Sequence, residues 1–380
     1  MKILYIVDAI NHIGGANLAT ANVLAKLLEK GISVDVLTDS LPNPITAYRF
    51  KGIKIIHMPL CRWNFAWIAR GAWRRVLHLP LCPDWMVDPT GEIRNLMASY
   101  DCVCVMSELS RFRGLVGHLP CKVRKVQLIH SDYVGMRNAD KNAKMSCRQD
   151  RWIYRNMDVI GVIGRCNAQK MLEMCPQFAG KITWFYNYIP ETPFHANLNI
   201  DKGMIRIVSA FSFDSMAKDP ARVVRIAMRL VRATNIVDWT FVGDGSMRAS
   251  CETAVAREGL KQNIHFLGAV KKTQKIFAES DILVLASHYE GLPMVIYESL
   301  MTGVPVLSTN VGGIPEQISN GENGWLVNDD EELIFDKLLY IVQNPVIVIE
   351  AKKRLLSYKY DNGCAIRKHL EMLGVHGGRR

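Results

Sequence analysis

The sequence predicts an α/β protein of two Rossmann-like, doubly wound parallel-sheet domains. Three observations carry this. Apolar strand-like runs alternate with helical patterns through the first half. The alternation breaks near residue 190 and resumes after residue 204. The chain of 380 residues is also longer than one core comfortably serves.

The strand-like runs of the first half are Lys2–Val7, Ser33–Thr38, Ile53–Met58, Cys102–Met106, Val123–Ile129 and Val159–Ile163. They are nearly continuous apolar segments, as strands buried on both faces require. The clearest helical stretch between them, Ala16–Lys30, is rich in Ala and Leu and stops at Gly31. Pro190 and Pro193 fall among polar residues in Tyr188–Asn199, which reads as a linker. The second alternation places strands at Ile205–Ala210, Ile236–Val242, Ile264–Gly268, Ile282–Ala286 and Val304–Ser308. The expected domains are residues 1–190 and 195–357, with a C-terminal helix of about 358–380 returning to the first. Two such halves place a cleft between them, with ligands outside the carboxyl ends of the strands. Gly377–Arg380 reads as a frayed tail.

Composition narrows the class. Hydrophobic residues make up 49% and charged residues 22%, a soluble globular profile. No run reaches the length of apolar, uncharged sequence that a membrane span needs. The start, Met1–Asp8, is short and ends in an acid, so it reads as a strand and not as a signal peptide. The ten cysteines are scattered without C-x-x-C pairs, and Cys102 and Cys104 share a strand face without zinc-ligand spacing. That usage favours a reducing compartment, the cytoplasm. The net charge of +11 favours an anionic partner: phosphates, an anionic membrane surface or nucleic acid.

The most informative segment runs from Ser287 to Glu298 and follows an apolar strand. Gly291 and Pro293 suit a turn into a helix starting near Met294. A free helix N-terminus offers unpaired N–H groups and partial positive charge to a diphosphate. Glu298 stands about four residues into that helix, roughly 6 Å along its axis. That is the offset from a diphosphate to the hydroxyls of its ribose. Glu290 precedes the helix, where a donor sugar would lie.

With these residues in view, Glu290-x7-Glu298 resembles the signature of family 4 retaining glycosyltransferases of GT-B fold. The segments Val242–Ser246, Ile264–Gly268, Ser280–Ile282, Gly303–Val306, Gly312–Glu316 and Gly324–Val327 are similar as well, so the likeness covers roughly residues 205–330. The first half resembles the family more weakly, through Gly14-Gly15, His130, Tyr154, Asp158–Ile160 and Asn187. The resemblance implies that Glu298 binds the ribose and Glu290 orients the sugar. The amides around Gly291, Leu292, Pro293, Met294 and Val295 would hold the distal phosphate and sugar. Gly14 and Gly15 would admit the phosphate, and Gly243 and Gly245 would turn beside the nucleotide. His130, at the carboxyl end of its strand, would sit near acceptor and sugar. Lys218 would clamp the diphosphate.

One departure stands out. The family pattern puts an Arg five residues before this Lys, and Phe213 occupies that place. The alternatives are an insertion in the segment, or substitution by Arg206 or another basic group; Lys alone cannot form the bidentate fork. The remaining chemistry is electrostatic: Lys218 and the helix N-terminus stabilise the leaving nucleoside diphosphate. No D-x-D carboxylate pair is present, in keeping with metal-independent transfer and no cofactor. The resemblance implies retention of configuration, with a UDP- or GDP-linked donor and a glycan or lipid-linked acceptor of a capsule or lipopolysaccharide.

Two basic faces remain. No acid occurs from Ser40 to Pro83, and on a helix over 62–79 Trp63, Trp67, Arg70 and Arg74 share one side. A second stripe runs through Arg137, Lys141, Lys144, Arg148, Arg151 and Arg155 at helical spacing. Both suit an acceptor side resting on an anionic membrane. Rival readings are a nucleotide-sugar epimerase or hydrolase of the same fold, a binding protein without turnover, and a nucleic-acid binder, which no motif supports. An NAD enzyme is disfavoured because Gly14–Leu18 lacks G-x-G-x-x-G.

Overall fold

The structure, a computed structural model, describes residues 1–8, 10–11, 14–42, 49–59, 88, 90–139, 143–200 and 203–375. It divides into two compact units: Met1–Tyr188 with Asn362–Arg380, and Ile189–Asp361. The first unit holds β1 (Ile3–Ile6), α1 (Gly15–Glu29), β2 (Val34–Thr38), β3 (Lys54–His57), α2 (Glu92–Ala98) and β4 (Cys102–Val105). It continues through α3 (Arg113–Gly117), β5 (Arg124–Ile129), α4 (Tyr133–Ala139), α5 (Ala143–Asn156), β6 (Val159–Ile163), α6 (Arg165–Met174) and β7 (Ile182–Phe185). The second holds β8 (Ile205–Ala210), α7 (Pro220–Thr234), β9 (Val237–Val242), α8 (Arg248–Arg257), β10 (Ile264–Phe266) and α9 (Thr273–Ala278). After these come β11 (Ile282–Leu285), α10 (Met294–Met301), β12 (Val306–Thr309), β13 (Gly324–Val327), α11 (Glu331–Gln343) and α12 (Val346–Leu355). The last helix, α13 (Asn362–Leu373), belongs to the first unit.

Both sheets are parallel and doubly wound. Their orders are β3-β2-β1-β4-β5-β6-β7 and β10-β9-β8-β11-β12-β13. Every strand the sequence predicts is present; β7 and β13, each only four residues long, are additional. In the second sheet the winding reverses between β8 and β11, where Ile282 pairs with Ile207. Connections leave these neighbours in opposite directions, so the carboxyl ends of β8 and β11 border an open crevice.

The cores explain the strand composition. Ile3–Ile6 and Cys102–Val105 are buried along their whole length, as are Ile282–Leu285. Helices cover these strands on both sides, so apolar side chains are needed on both faces. The second core is unusually aromatic, with Trp239 stacked on Phe241 at 5.8 Å and Phe241 on Phe266 at 5.1 Å. Cys102, Cys104, Cys121, Cys166, Cys175, Cys251 and Cys364 are free thiols. No helix of the described residues is long and apolar enough to cross a membrane.

A buried ion cluster closes the amino edge of the second sheet. Lys352 on α12 is fully buried; its ammonium lies 2.5 Å from Asp281 Oδ1 and donates to the Asn197 carbonyl at 2.9 Å. Arg206, near the start of β8, donates to both Asp281 oxygens at 3.1 Å. The 189–200 segment is thereby fastened to its own unit. It also assigns Arg206: the residue stands at the amino edge, opposite to the crevice, and cannot replace the guanidinium missing at position 213.

In the first unit α13 lies against β5 and β7. Phe185 is gripped edge-on between two imidazoles, His130 at 5.0 Å and His369 at 5.1 Å. Burial pushes His369 down to about 4 and His130, with His369 nearby, down to about 3. Both rings are neutral in the folded protein near pH 6, whereas the unfolded chain takes up protons at an ordinary 6.5. Stability therefore falls as pH drops from about 6.5 towards 4, because the unfolded state binds more protons there. Replacing His369 by Gln, which keeps a donor for the Ala365 carbonyl but does not titrate, should remove on the order of 2 kcal/mol of that acid loss. Urea unfolding midpoints at pH 7, 5.5 and 4.5 measure it; equal slopes in wild type and variant would contradict the assignment.

Candidate active site

The crevice between β8 and β11 gathers the residues that the sequence singled out in the second unit. β11 ends at Leu285, and a turn of eight residues, 286–293, leads to α10. Pro293 caps α10 with φ −63, and no side chain accepts from its first amides. The Met294 and Val295 N–H groups are therefore available to an anion, while that of Ile296 turns to the Pro293 carbonyl at 3.3 Å. Leu292 and Met294 bury their side chains (4% and 5% exposed) and so fix the backbone that carries these amides. Val295 packs against the same core.

Glu290 projects from this turn and contacts Lys218, which comes from the loop after β8. Ser287 Oγ donates to the same Glu290 oxygen at 2.7 Å. Burial pushes the Lys218 ammonium down to about 7, although 19% of the side-chain surface stays open. A carboxylate in contact with an ammonium acts in the opposite sense and favours the charged form. A diphosphate entering the crevice would take over that task. Glu298, one turn into α10, is buried (4% exposed) and accepts a hydrogen bond from Thr273 Oγ1 at 2.9 Å.

Two glycine turns let the walls close up. At Gly243, φ is +131, and an added Cβ would stand 1.8 Å from the Phe211 carbonyl oxygen. Gly245 lies equally close to Phe213 and Asp214, so the loops after β8 and β9 meet backbone to backbone. Gly312 (φ +56) does the same for the Glu290 turn: a Cβ there would stand 1.8 Å from the Glu290 carbonyl oxygen. Phe213, where the family pattern expects Arg, is fully buried among Phe211, Phe241 and Phe266. The aromatic side chain supports the loop instead of reaching a ligand.

Sequence reasoning missed an outer set of residues. His288 Nδ1 lies 2.7 Å from Asp329 Oδ2, and its Nε2 lies 3.4 Å from Asp219 Oδ2. Arg222, 5% exposed, donates to Asp329 at 2.6 Å and to the Ala286 carbonyl at 2.5 Å. Burial alone would raise the Asp329 carboxyl, but hydrogen bonds from His288 and Arg222 outweigh it and hold it below the usual range. Thr273 was missed as well. Its place directly after the pair Lys271-Lys272 carried no signal, whereas Ser287 could have been found from its spacing of three from Glu290.

The first-unit residues belong to a different unit. Gly14 is the N-cap of α1 and Gly15 its first residue, where an added Cβ would meet nothing within 4 Å. His130 follows β5 at the carboxyl end of its sheet, with Nε2 enclosed and without a hydrogen-bond partner. Arg148 and Arg151 are exposed on α5. Arg137 does not continue their stripe: it lies on α4, 7% exposed, with Asp150 2.6 Å from its guanidinium. Trp63, Trp67, Arg70 and Arg74 lie outside the described residues, as does Lys141.

Comparison with known proteins bears on the fold and on the second unit. Residues 207–344 match the model of the family described as "Glycosyl transferases group 1". A Vi polysaccharide biosynthesis protein of Salmonella typhi is 32% identical over 120 residues, which is 32% of this chain and 21% of that protein. The chain thus spans about a fifth of that relative's length. An uncharacterized glycosyltransferase of Methanocaldococcus jannaschii is 25% identical over 297 residues, covering 69% of this chain and 73% of its own. Among solved structures, Anabaena HepE, determined with UDP and glucose, superposes with a TM-score of 0.74 at 15% identity over 98% of this chain and 99% of its own. The fold is GT-B.

The Lys218–Glu290 contact yields a direct test. With Glu290→Gln the carboxylate that favours the charged amine is gone, and the depression by burial acts unopposed. Competitive acetylation at pH 7, read by mass spectrometry, should then label Lys218 at least several-fold faster than in wild type, because the free amine is the nucleophile. An unchanged rate relative to surface lysines would contradict the pairing.

Proposed function

We propose that this protein is a metal-independent, retaining glycosyltransferase that moves a sugar from a nucleoside diphosphate donor to a glycan acceptor of a surface polysaccharide. The observation that carries this is the convergence, at the β8/β11 reversal, of Lys218, the uncapped start of α10, Glu290 and Glu298. One positive group and one row of amides suit a diphosphate. Glu298 stands one helical turn deeper, at the reach of the ribose hydroxyls, and Glu290 stands on the sugar side. The match of residues 207–344 and the Vi polysaccharide relative support the same class.

In this reading the bond between the anomeric carbon and the diphosphate oxygen breaks. The acceptor oxygen bonds to the same face of the carbon, and its proton passes to a phosphate oxygen of the leaving group. Lys218 and the α10 amides take the charge that develops on the diphosphate. UDP or GDP is the proposed carrier, and HepE's complex with UDP and glucose favours UDP. Gly243 and Gly245 border the nucleotide, and the backbone from Gly291 to Val295 the phosphate and sugar. His130, Gly14 and Gly15 are assigned to the acceptor and phosphate side of the first unit. A cytoplasmic location, with a lipid-linked acceptor on an anionic membrane face, completes the proposal. The exposed Arg148 and Arg151 favour that membrane contact. Flotation with anionic vesicles at low salt should carry the protein up, and recovery only in the bottom fraction contradicts it.

Phe213 favours one second reading, a nucleotide-binding homologue with weakened turnover. A thermal-shift panel of UDP, GDP, ADP, CMP and dTDP addresses both. One diphosphate at about 100 times its Kd should add about 2.7 kcal/mol of stability. The shift should vanish in Glu298→Ala. Binding without release of sugar from any donor supports the second reading, and no shift with any nucleotide sinks both.

A further inference from the structure

The described outer group around His288 has no part in the function just proposed, yet it lies directly behind it. Lys218 and Glu290 belong to two loops that are distant in sequence. Three links join these loops. The His288 amide donates to the Ala217 carbonyl at 2.8 Å. Lys218 contacts Glu290. His288 faces Asp219, the neighbour of Lys218. Through its other nitrogen His288 also reaches Asp329, beyond β13, and Asp329 holds Arg222, which holds the Ala286 carbonyl.

Asp219 adds an independent observation. Its backbone is left-handed (φ 40, ψ 70), and it is one of only two such residues other than glycine among the described residues. Asp tolerates this conformation better than most side chains but at a cost of about 1 kcal/mol. Such strain persists only where neighbours over-determine it. Here Asp219 Oδ1 accepts from the Arg222 amide at 3.1 Å, capping α7, and Oδ2 faces His288. The left-handed step turns the chain directly after Lys218, so whatever fixes Asp219 also fixes the lysine.

We propose that His288 is a positioning residue. Donating from Nδ1 to Asp329 and, in its doubly protonated form, from Nε2 to Asp219, it holds the Lys218 loop against the Glu290 turn and so sets how tightly the crevice binds a nucleoside diphosphate. This rests on the donor site proposed above. His288 touches neither phosphate nor sugar; it acts through Lys218. The role predicts an effect that simple electrostatics would invert. Asp219→Asn keeps the cap and the left-handed backbone, since Asn accepts both, but removes a negative charge beside an anion site. Charge alone would tighten a diphosphate. Loss of the bridge weakens it.

The experiment is calorimetric titration with UDP, or with GDP or ADP if the panel selects one of these, on wild type, His288→Ala, Asp219→Asn, Lys218→Met and the double variant Lys218→Met/His288→Ala. Unfolding midpoints are measured in parallel. His288→Ala and Asp219→Asn should each weaken binding about tenfold or more, the scale of one charge-assisted hydrogen bond. His288→Ala should add nothing to Lys218→Met, because contacts that work through one another are not additive. Unchanged or tighter binding in Asp219→Asn overturns the proposal. So does full additivity with Lys218→Met. Should His288→Ala not fold, Asp219→Asn carries the test alone. Wild type that binds none of the three diphosphates removes the donor site and this inference together; wild type that binds, with variants that bind equally well, removes the inference only.

Discussion

The second unit depends on one contact of opposite charges across a topological reversal. β8 and β11 are neighbours whose connections run to opposite sides, so nothing in the chain's path closes the gap at their carboxyl ends. Lys218 and Glu290 meet there. Burial disfavours the charged amine, and Glu290 offsets that penalty only while the two loops are held together. The His288 amide, donating to the Ala217 carbonyl at 2.8 Å, holds the two loops side by side. In the function proposed above, a diphosphate would compete with Glu290 for the lysine, and the Met294 and Val295 amides would favour it.

The two edges of this sheet are specialised in opposite ways. At the amino edge Asp281, Lys352 and Arg206 satisfy one another completely enough for Lys352 to be fully buried. Such a cluster locks packing and leaves nothing for a ligand. At the carboxyl edge the charged groups are only partly enclosed, and their partners are exchangeable. Conserving strain at Asp219 on the second edge, and none among the charged residues of the first, fits a division between holding the fold and holding a ligand.

Much of this was legible in the sequence because the signals are local. The strand runs, the Gly291–Pro293 turn and the Glu290-to-Glu298 spacing are all set within a dozen residues, and local geometry converts them directly into a strand, a turn and a helix face. The misreadings share the opposite character. Arg206 was a candidate clamp because a sequence does not tell which end of a buried strand carries the ligand; Asp281, 75 residues away, decides it. Arg137 continued a periodic basic stripe, but it stands on α4 while Arg148 and Arg151 stand on α5, and Asp150 draws it inward. The bridge of Asp219, His288 and Asp329 joins loops that follow three different strands. No spacing rule could reveal it, since only the sheet order brings those loops together.

The central claim is that a nucleoside diphosphate occupies the β8/β11 crevice of the second unit. A crystal structure of the protein with UDP tests it most directly. The diphosphate should lie between the Lys218 ammonium and the amides of Met294 and Val295, with the ribose hydroxyls on Glu298 and Lys218 no longer in contact with Glu290. A nucleotide bound elsewhere, or bound while the Lys218–Glu290 contact stays closed, would contradict it.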